Sequence, residues 1–232
     1  METRSNNDAA RESIFASIRS NLAASVRYDA VESELHHASP TPALIATTVE
    51  SESLLDLFRE SLEAVDGHCI IANNESEVVN ALTSIIKSLQ GTRLRGRCIA
   101  ISDDIEVERL ISQADLEIDE LGVTPSASDI FRFDVGISGV QAAIAETGTL
   151  LLDSSKERHR LVSLVPPVHI AILKESQIVG TLSEALALLR KSEQLTPIAT
   201  LVTGPSRTAD IELTLAIGVH GPQELFVIVS CE

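Results

Sequence analysis

The chain has 232 residues, 44% of them apolar, which is enough for one sizeable core; only 3% are aromatic and none is tryptophan, so that core is built from Ile, Leu, Val and Ala. A formal charge of −16 opposes nonspecific attachment to nucleic acid or to an anionic membrane, and the scarcity of aromatic rings removes the platforms on which bases stack. The acidity is uneven: residues 1–130 carry 23 acids against 10 bases, residues 131–232 only 11 against 8.

The three cysteines, Cys69, Cys98 and Cys231, stand far apart and none belongs to a C-x-x-C pair. That argues against a closed zinc site or an iron-sulfur cluster held by this chain alone, and for reduced thiols in a cytoplasmic protein. The N-terminus, M-E-T-R-S-N-N-D-A-A-R-E-S, lacks the apolar centre of a signal peptide. No apolar run approaches the roughly 18 residues of a membrane helix, so no membrane span is expected.

In chain order, Ile14, Ile18 and Leu22 recur every fourth position with Phe15 beside them, which predicts an amphipathic helix from about Ala9 to Val26. The polar, proline-containing stretch H-H-A-S-P-T-P, His36 to Pro42, follows as a linker. Residues 1–40 are therefore expected to be a helical arm with its linker, and residues 41–232 one α/β domain. A helix from about Ser51 to Val65, a strand His68 to Ala72, a helix Glu75 to Leu89, a strand Arg97 to Ser102 and a short helix Ile105 to Ile111 come next. Helix and strand alternating at this spacing predict βα units around a mostly parallel sheet flanked by helices.

After about Thr124 the texture changes to short apolar runs separated by glycines: Asp134 to Gly139, Gln141 to Ala145 and Thr149 to Leu152, expected as a meander or as strands added at one edge of the sheet. The runs Val168 to Leu173, Ile198 to Val202 and Leu225 to Ser230, with helices expected at Leu182 to Arg190 and Thr208 to Ile217, then restore the alternation.

Three constellations carry chemistry. In A-E-T-G-T, Ala145 to Thr149, the carboxylate of Glu146 ends an apolar run beside a glycine turn, where the N–H groups of Thr147, Gly148 and Thr149 can face one space; that is how a nucleophilic or general-base carboxylate with an oxyanion site is assembled. The same residues equally make an ordinary hydrogen-bonded turn. D-S-S-K-E-R-H-R, Asp153 to Arg160, gathers Lys156, Arg158, His159 and Arg160 into a patch suited to a small carboxylate or phosphate, or simply to solvent. In T-G-P-S-R-T, Thr203 to Thr208, a strand runs through Gly204 into an expected helix start at Ser206 or Thr208, an anion cradle to which Arg207 adds positive charge. Asp210 falls in the first turn of that helix, where the dipole favours an acid. No P-loop or dinucleotide-binding glycine motif occurs.

The stretches I-S-G-V-Q-A-A-I-A-E-T-G-T-L-L-L (Ile137 to Leu152), L-V-S-L-V-P-P-V-H-I-A-I-L (Leu161 to Leu173), G-P-S-R-T-A-D-I-E (Gly204 to Glu212) and G-V-H-G-P (Gly218 to Pro222) together resemble the lactate-utilization family, the small-subunit type with a LUD domain. The resemblance implies the fold shared by CoA transferases, ribose-5-phosphate isomerase and glucosamine-6-phosphate deaminase. It also implies a cytoplasmic part in the oxidation of L-lactate to pyruvate beside two iron-sulfur partner subunits, with clusters in those partners and no cofactor bound by this chain. It brings Asp210 and His220 into the candidate ligand set with Arg207. Glu146 becomes a loose counterpart of the transferase nucleophile, so a stand-alone transferase- or isomerase-like enzyme remains the alternative. Homo-oligomerisation stays open.

Overall fold

The computed structural model describes residues 11–21, 53–156, 158, 160–190, 198–208, 216–217 and 221–231, and the chain divides into two units, Met1–Glu50 and Ser51–Glu232. In the first unit residues 11–21 form a helix, α1, within which Arg11 lies over the Phe15 ring at 5.5 Å. The His36 to Pro42 linker lies outside the described residues.

In the second unit six strands form a parallel sheet: β1 (His68–Ala72), β2 (Cys98–Ile101), β3 (Glu120–Val123), β4 (Val135–Gly139), β7 (Val168–Lys174) and β12 (Glu224–Ser230), in the spatial order β1-β12-β7-β4-β2-β3. Helices α3 (Glu75–Gln90) and α4 (Ile105–Gln113) follow β1 and β2. Each starts on a side-chain cap that satisfies a free helix N–H: Asn74 accepts from the Glu77 amide at 2.9 Å, Asp104 from the Glu106 amide at 2.7 Å.

Strand residues alternate between two cores. Ile137, Ile170 and Ile228 pack with Val78, Leu82, Ile86, Val107 and Leu110 of α3 and α4. Their neighbours Ala171, Val227 and Val229 pack the other way, against Phe58 and Leu62 of α2 (Leu54–Glu63) and against Ala143, Leu150 and Leu152. A parallel sheet buried on both faces needs this near-continuous apolar composition. Between β4 and β7, the fully buried Ser138 and His169 bond to each other, Oγ to Nε2, at 2.9 Å.

The expected meander is not at an edge of this sheet. Val135–Gly139 is an inner strand of it, whereas β5 (Ala142–Ile144), β6 (Thr149–Asp153), β8 (Ile178–Val179) and β9 (Ala199–Thr203) form a second sheet in the order β8-β5-β6-β9. β5 turns back at Ala145–Gly148 to pair with β6 antiparallel, and β9 joins β6 antiparallel, so the Ile198 to Val202 run does not continue the βα alternation. A further helix, α6 (Leu182–Arg190), covers the far face of this second sheet through Ala185, packed with Ala142, Ile144 and Leu151. The short α5 (Arg160–Leu164) places Val162 in a small cluster with Ala100, Ile130 and Phe133.

The helix expected from Thr208 to Ile217 is also corrected. Its two ends are strands, β10 (Arg207–Thr208) and β11 (Ala216–Ile217), paired antiparallel; residues 209–215 lie outside the described ones.

Gly136, inside β4, tolerates no side chain: a Cβ there would stand 1.9 Å from the Val162 carbonyl oxygen. Gly136→Ala is expected to destabilise by about 3 kcal/mol, because the backbone of α5 cannot yield as a flexible side chain would. Gly91→Ala at the end of α3, where a Cβ meets nothing within 4 Å, is expected to stabilise by about 0.5 kcal/mol. Urea unfolding of the two variants checks the contrast.

Candidate functional site

The A-E-T-G-T and T-G-P-S-R segments, 54 residues apart in sequence, meet in space. Thr149 and Thr203 are register partners across β6 and β9, and their hydroxyls bond at 2.7 Å; the Thr147 hydroxyl joins the chain through Thr149, also at 2.7 Å. Gly148 and Gly204 both take left-handed backbone, φ 62° and φ 74°. A Cβ on Gly148 would lie 2.4 Å from the Leu62 nitrogen, and one on Gly204 2.6 Å from the Val65 carbonyl oxygen. Both turns are thus glycine because they seat directly on the last turn of α2 and the backbone just beyond it.

Several other groups at these turns have protein partners. The Glu146 amide donates to the Gly180 carbonyl at 3.2 Å and the Thr147 amide to Ile144 at 3.4 Å. The Glu146 carboxylate accepts the Leu182 amide at 2.9 Å, at the first residue of α6. It supplements a reciprocal cap that T-L-S-E, Thr181 to Glu184, displays in sequence: the Glu184 amide donates to the Thr181 hydroxyl at 3.3 Å and the Thr181 amide to the Glu184 carboxylate at 3.2 Å. The Ser206 amide donates to the Pro222 carbonyl at 2.8 Å. Because β10 and not a helix follows Ser206, no helix N-terminus completes a cradle at Arg207.

Arg207 instead donates to the carboxylate of Asp66, which stands in the turn between α2 and β1. It lines a cleft of about 600 Å³ at the amino ends of β1 and β12, shared with Asp66, His68, Cys69, Glu224 and Phe226. There the His68 ring stacks on Phe226 with centroids 4.7 Å apart, and its Nε2 lies 3.2 Å from Glu224. Arg207 thus faces a carboxylate in an exposed pair, of the kind worth about 0–1 kcal/mol. The structure places Glu146, Thr147, Gly148, Thr149, Gly204, Ser206, Arg207 and the backbone of Thr208 on this side of the domain; Asp210 and His220 lie outside the described residues.

A second cleft, which sequence reasoning missed, opens at the opposite edge. Its volume is about 260 Å³, and it lies where β4, β7 and β12 end in Gly139, Lys174 and Ser230 and where α3 and α4 begin. After β2 the chain moves outward to β3, and after β4 it moves the other way to β7, so the cleft sits at the point where the connections diverge, the usual ligand position in open α/β sheets. Val78, Val107, Leu110, Val140 and Ile172 form its apolar wall. At its rim Arg109 binds both Glu75 and Glu106. The Arg109 guanidinium, helped by the Gln113 amide, holds the Glu75 carboxyl below the usual carboxylate range. Beside this edge Arg158 of the basic stretch is tied to Asp103: burial opposes ionisation of that carboxyl, but the Arg158 amide and guanidinium outweigh it and lower its pKa. The cleft's residues come from the ends of five separate segments, so no local motif announced it.

The three thiols do not converge. Cys69 and Cys231 sit at opposite ends of the adjacent strands β1 and β12, and Cys98 is on β2, three strands from β12, about 14 Å at ordinary strand spacing. Burial, and then the Glu63 charge, push the Cys69 thiol up to about 11.

A six-stranded parallel sheet backed by a second, mainly antiparallel sheet, closed by glycine turns at one edge and cleft at the other, defines a layered α/β protein of the open-sheet class. Residues 55–230 match the LUD domain, and the chain belongs to the LUD domain family. It is 39% identical over 100 residues to lactate utilization protein C of Bacillus licheniformis, 41% of this chain and 42% of that one. Against lactate utilization protein C of Anoxybacillus flavithermus it is 25% identical over 224 residues, 94% of this chain and 98% of that one. The stretches shared with the relatives of higher identity span 42% of those proteins' length. A crystal structure of a DUF162 family protein from Deinococcus radiodurans superposes with a TM-score of 0.57 at 24% identity, covering 76% of this chain and 96% of that one, and shows the same fold.

Two outcomes are expected. Glu146→Ala removes an acceptor from the start of α6 and lowers stability by about 1 kcal/mol, while Arg207→Gln, at an exposed pair, changes it by less than about 0.5 kcal/mol; thermal melts compare them. Cys69 of the folded protein is alkylated by iodoacetamide at pH 8 at least about 100-fold more slowly than free cysteine, because its thiol stays protonated, and the rate rises about tenfold per pH unit until its pKa is reached. Mass mapping of the Cys69 peptide measures this.

Proposed function

We propose that this chain is a cytoplasmic, cluster-free component of L-lactate utilization, acting in the oxidation of L-lactate to pyruvate beside two iron-sulfur partner subunits. The observation that carries the reading is membership of the LUD domain family together with similarity along nearly the whole chain to lactate utilization protein C of Anoxybacillus flavithermus. Oxidising a secondary alcohol to a ketone releases two electrons and two protons. Iron-sulfur clusters are held chiefly by sets of cysteine thiolates, and the separated positions of Cys69, Cys98 and Cys231 offer no such set, which supports placing the electron-carrying centres in the partners. No helix among the described residues is long and apolar enough to cross a membrane.

The stand-alone transferase reading requires Glu146 as nucleophile. Its carboxylate instead helps to cap α6, and that geometry favours the subunit reading.

A clean deletion strain is expected to lose growth on L-lactate as sole carbon source while keeping growth on pyruvate, and tagged full-length chain is expected to co-purify two iron-sulfur proteins from lactate-grown cells. Normal growth of the deletion strain on L-lactate would overturn the proposal.

A further inference from the structure

We infer that the cleft at the carboxyl ends of β4, β7 and β12 is a binding site for a small organic monocarboxylate of the hydroxy- or oxo-acid kind, with Lys174 as the residue that meets the carboxylate. The inference rests on the proposed function only for the choice of acid; the class of ligand follows from the cleft itself.

Size comes first. About 260 Å³ is below the range of roughly 300–1,000 Å³ that holds drug-sized ligands, so a dinucleotide or a whole CoA does not fit and a metabolite of a few carbons does.

The polar groups then select charge by elimination. Three carboxylates line the cleft, and each is already engaged. Glu75 accepts from Arg109 and from Gln113 Nε2 at 2.8 Å; Glu106 pairs with Arg109 at 2.7 Å; Asp104 accepts the Glu106 and Val107 amides of α4 at 2.7 and 3.4 Å. Gln177 is engaged at both ends, its amide nitrogen donating to the Val140 carbonyl and its oxygen accepting the Lys174 amide at 2.6 Å. Arg109 is shared between two acids. That leaves the ammonium of Lys174, the exposed last residue of β7, which takes part in no ion pair among the described residues.

The one cation of the cleft without an ion pair among the described residues thus shares its lining with Val107, Leu110, Val140 and Ile172. An ammonium beside an apolar wall matches a molecule with a carboxylate at one end and a short carbon skeleton at the other. The three neighbouring acids also limit the charge: a phosphate dianion beside them meets more repulsion than a monocarboxylate does, so the site selects the weaker anion.

The test is titration of purified full-length protein with L-lactate, with pyruvate and with lactamide, the neutral counterpart, read by calorimetry and by methyl NMR shifts at Val140 and Ile172. Expected is binding of L-lactate or pyruvate with shifts at those methyls, no measurable binding of lactamide, affinity weakened about tenfold or more in Lys174→Gln, and affinity largely kept in Lys174→Arg. Circular dichroism of each variant checks that it is folded. The inference is overturned if neither acid binds, if lactamide binds as tightly, if Lys174→Gln binds like the parent, or if binding is lost in Arg207→Gln instead. Binding is read on the protein and lactate growth on the deletion strain, so the two proposals fail separately: growth lost without binding sinks this one alone, and binding with normal growth sinks the other.

Discussion

The structure depends on one constraint: a six-stranded parallel sheet that must be covered on both faces by a chain almost without aromatic residues. Small and branched side chains fill such a space only if the covering layers come very close. Ala171 and Val227 on one face and Ile170 and Ile228 on the other leave no room for polar groups on the inner strands, except where two such groups satisfy each other, as Ser138 and His169 do. Two helices cover one face; the other takes α2, the short α5 and a whole second sheet. Close approach then dictates individual residues. Gly136 faces the Val162 carbonyl, and Gly148 and Gly204 face the backbone at the end of α2.

That constraint decides how much was legible in the sequence. Elements with one unambiguous period were readable: His68 to Ala72, Glu75 to Leu89 and Leu182 to Arg190 lie within a residue of the observed bounds, and the parallel βα architecture followed from their alternation. Pairing was not readable. The runs around Ala142 and Leu151 look the same whether their neighbour is parallel or antiparallel, and only the closed turn at Gly148 shows that they fold back into a sheet of their own. β3 escaped notice because Leu121 and Val123 are half-exposed at the sheet's edge and Gly122 interrupts the run. The Thr208 to Ile217 segment carries a hydroxyl suited to a helix cap and also the alternation Ile211, Leu213, Leu215, Ile217, and the strand pairing of Ala216–Ile217 agrees with the alternation.

The candidate site divides along the same line. Sequence motifs report local demands, and A-E-T-G-T and T-G-P-S-R carry theirs openly: left-handed glycines, hydroxyl pairs and an acid at a helix start. The fold uses those features to tie β6 to β9 through Thr149 and Thr203, the turn after β5 to α6 through Glu146 and Leu182, and β10 to the turn after α2 through Arg207 and Asp66. A cleft made from Glu75, Asp104, Arg109, Lys174 and Ser230 has no local signature, since topology alone brings five segment ends to one edge.

The two edges of the sheet therefore differ in kind. At the amino edge the glycine turns hold backbone against backbone and Arg207 meets Asp66, which favours rigidity. The carboxyl edge collects the starts of α3 and α4, whose positive ends are answered by their own caps and first-turn acids, Glu75, Asp104 and Glu106. Glu75 and Glu106 in turn fix Arg109, so that the guanidinium joins α3 to α4 rather than waiting for a ligand. Lys174 arrives from β7, which is followed by only a single 3-10 turn, Glu175–Gln177, that the Lys174 amide caps through Gln177, and its ammonium joins no ion pair among the described residues. Two cations on one rim thus have opposite availability, and the difference follows from which strand each one follows rather than from any property of arginine or lysine alone.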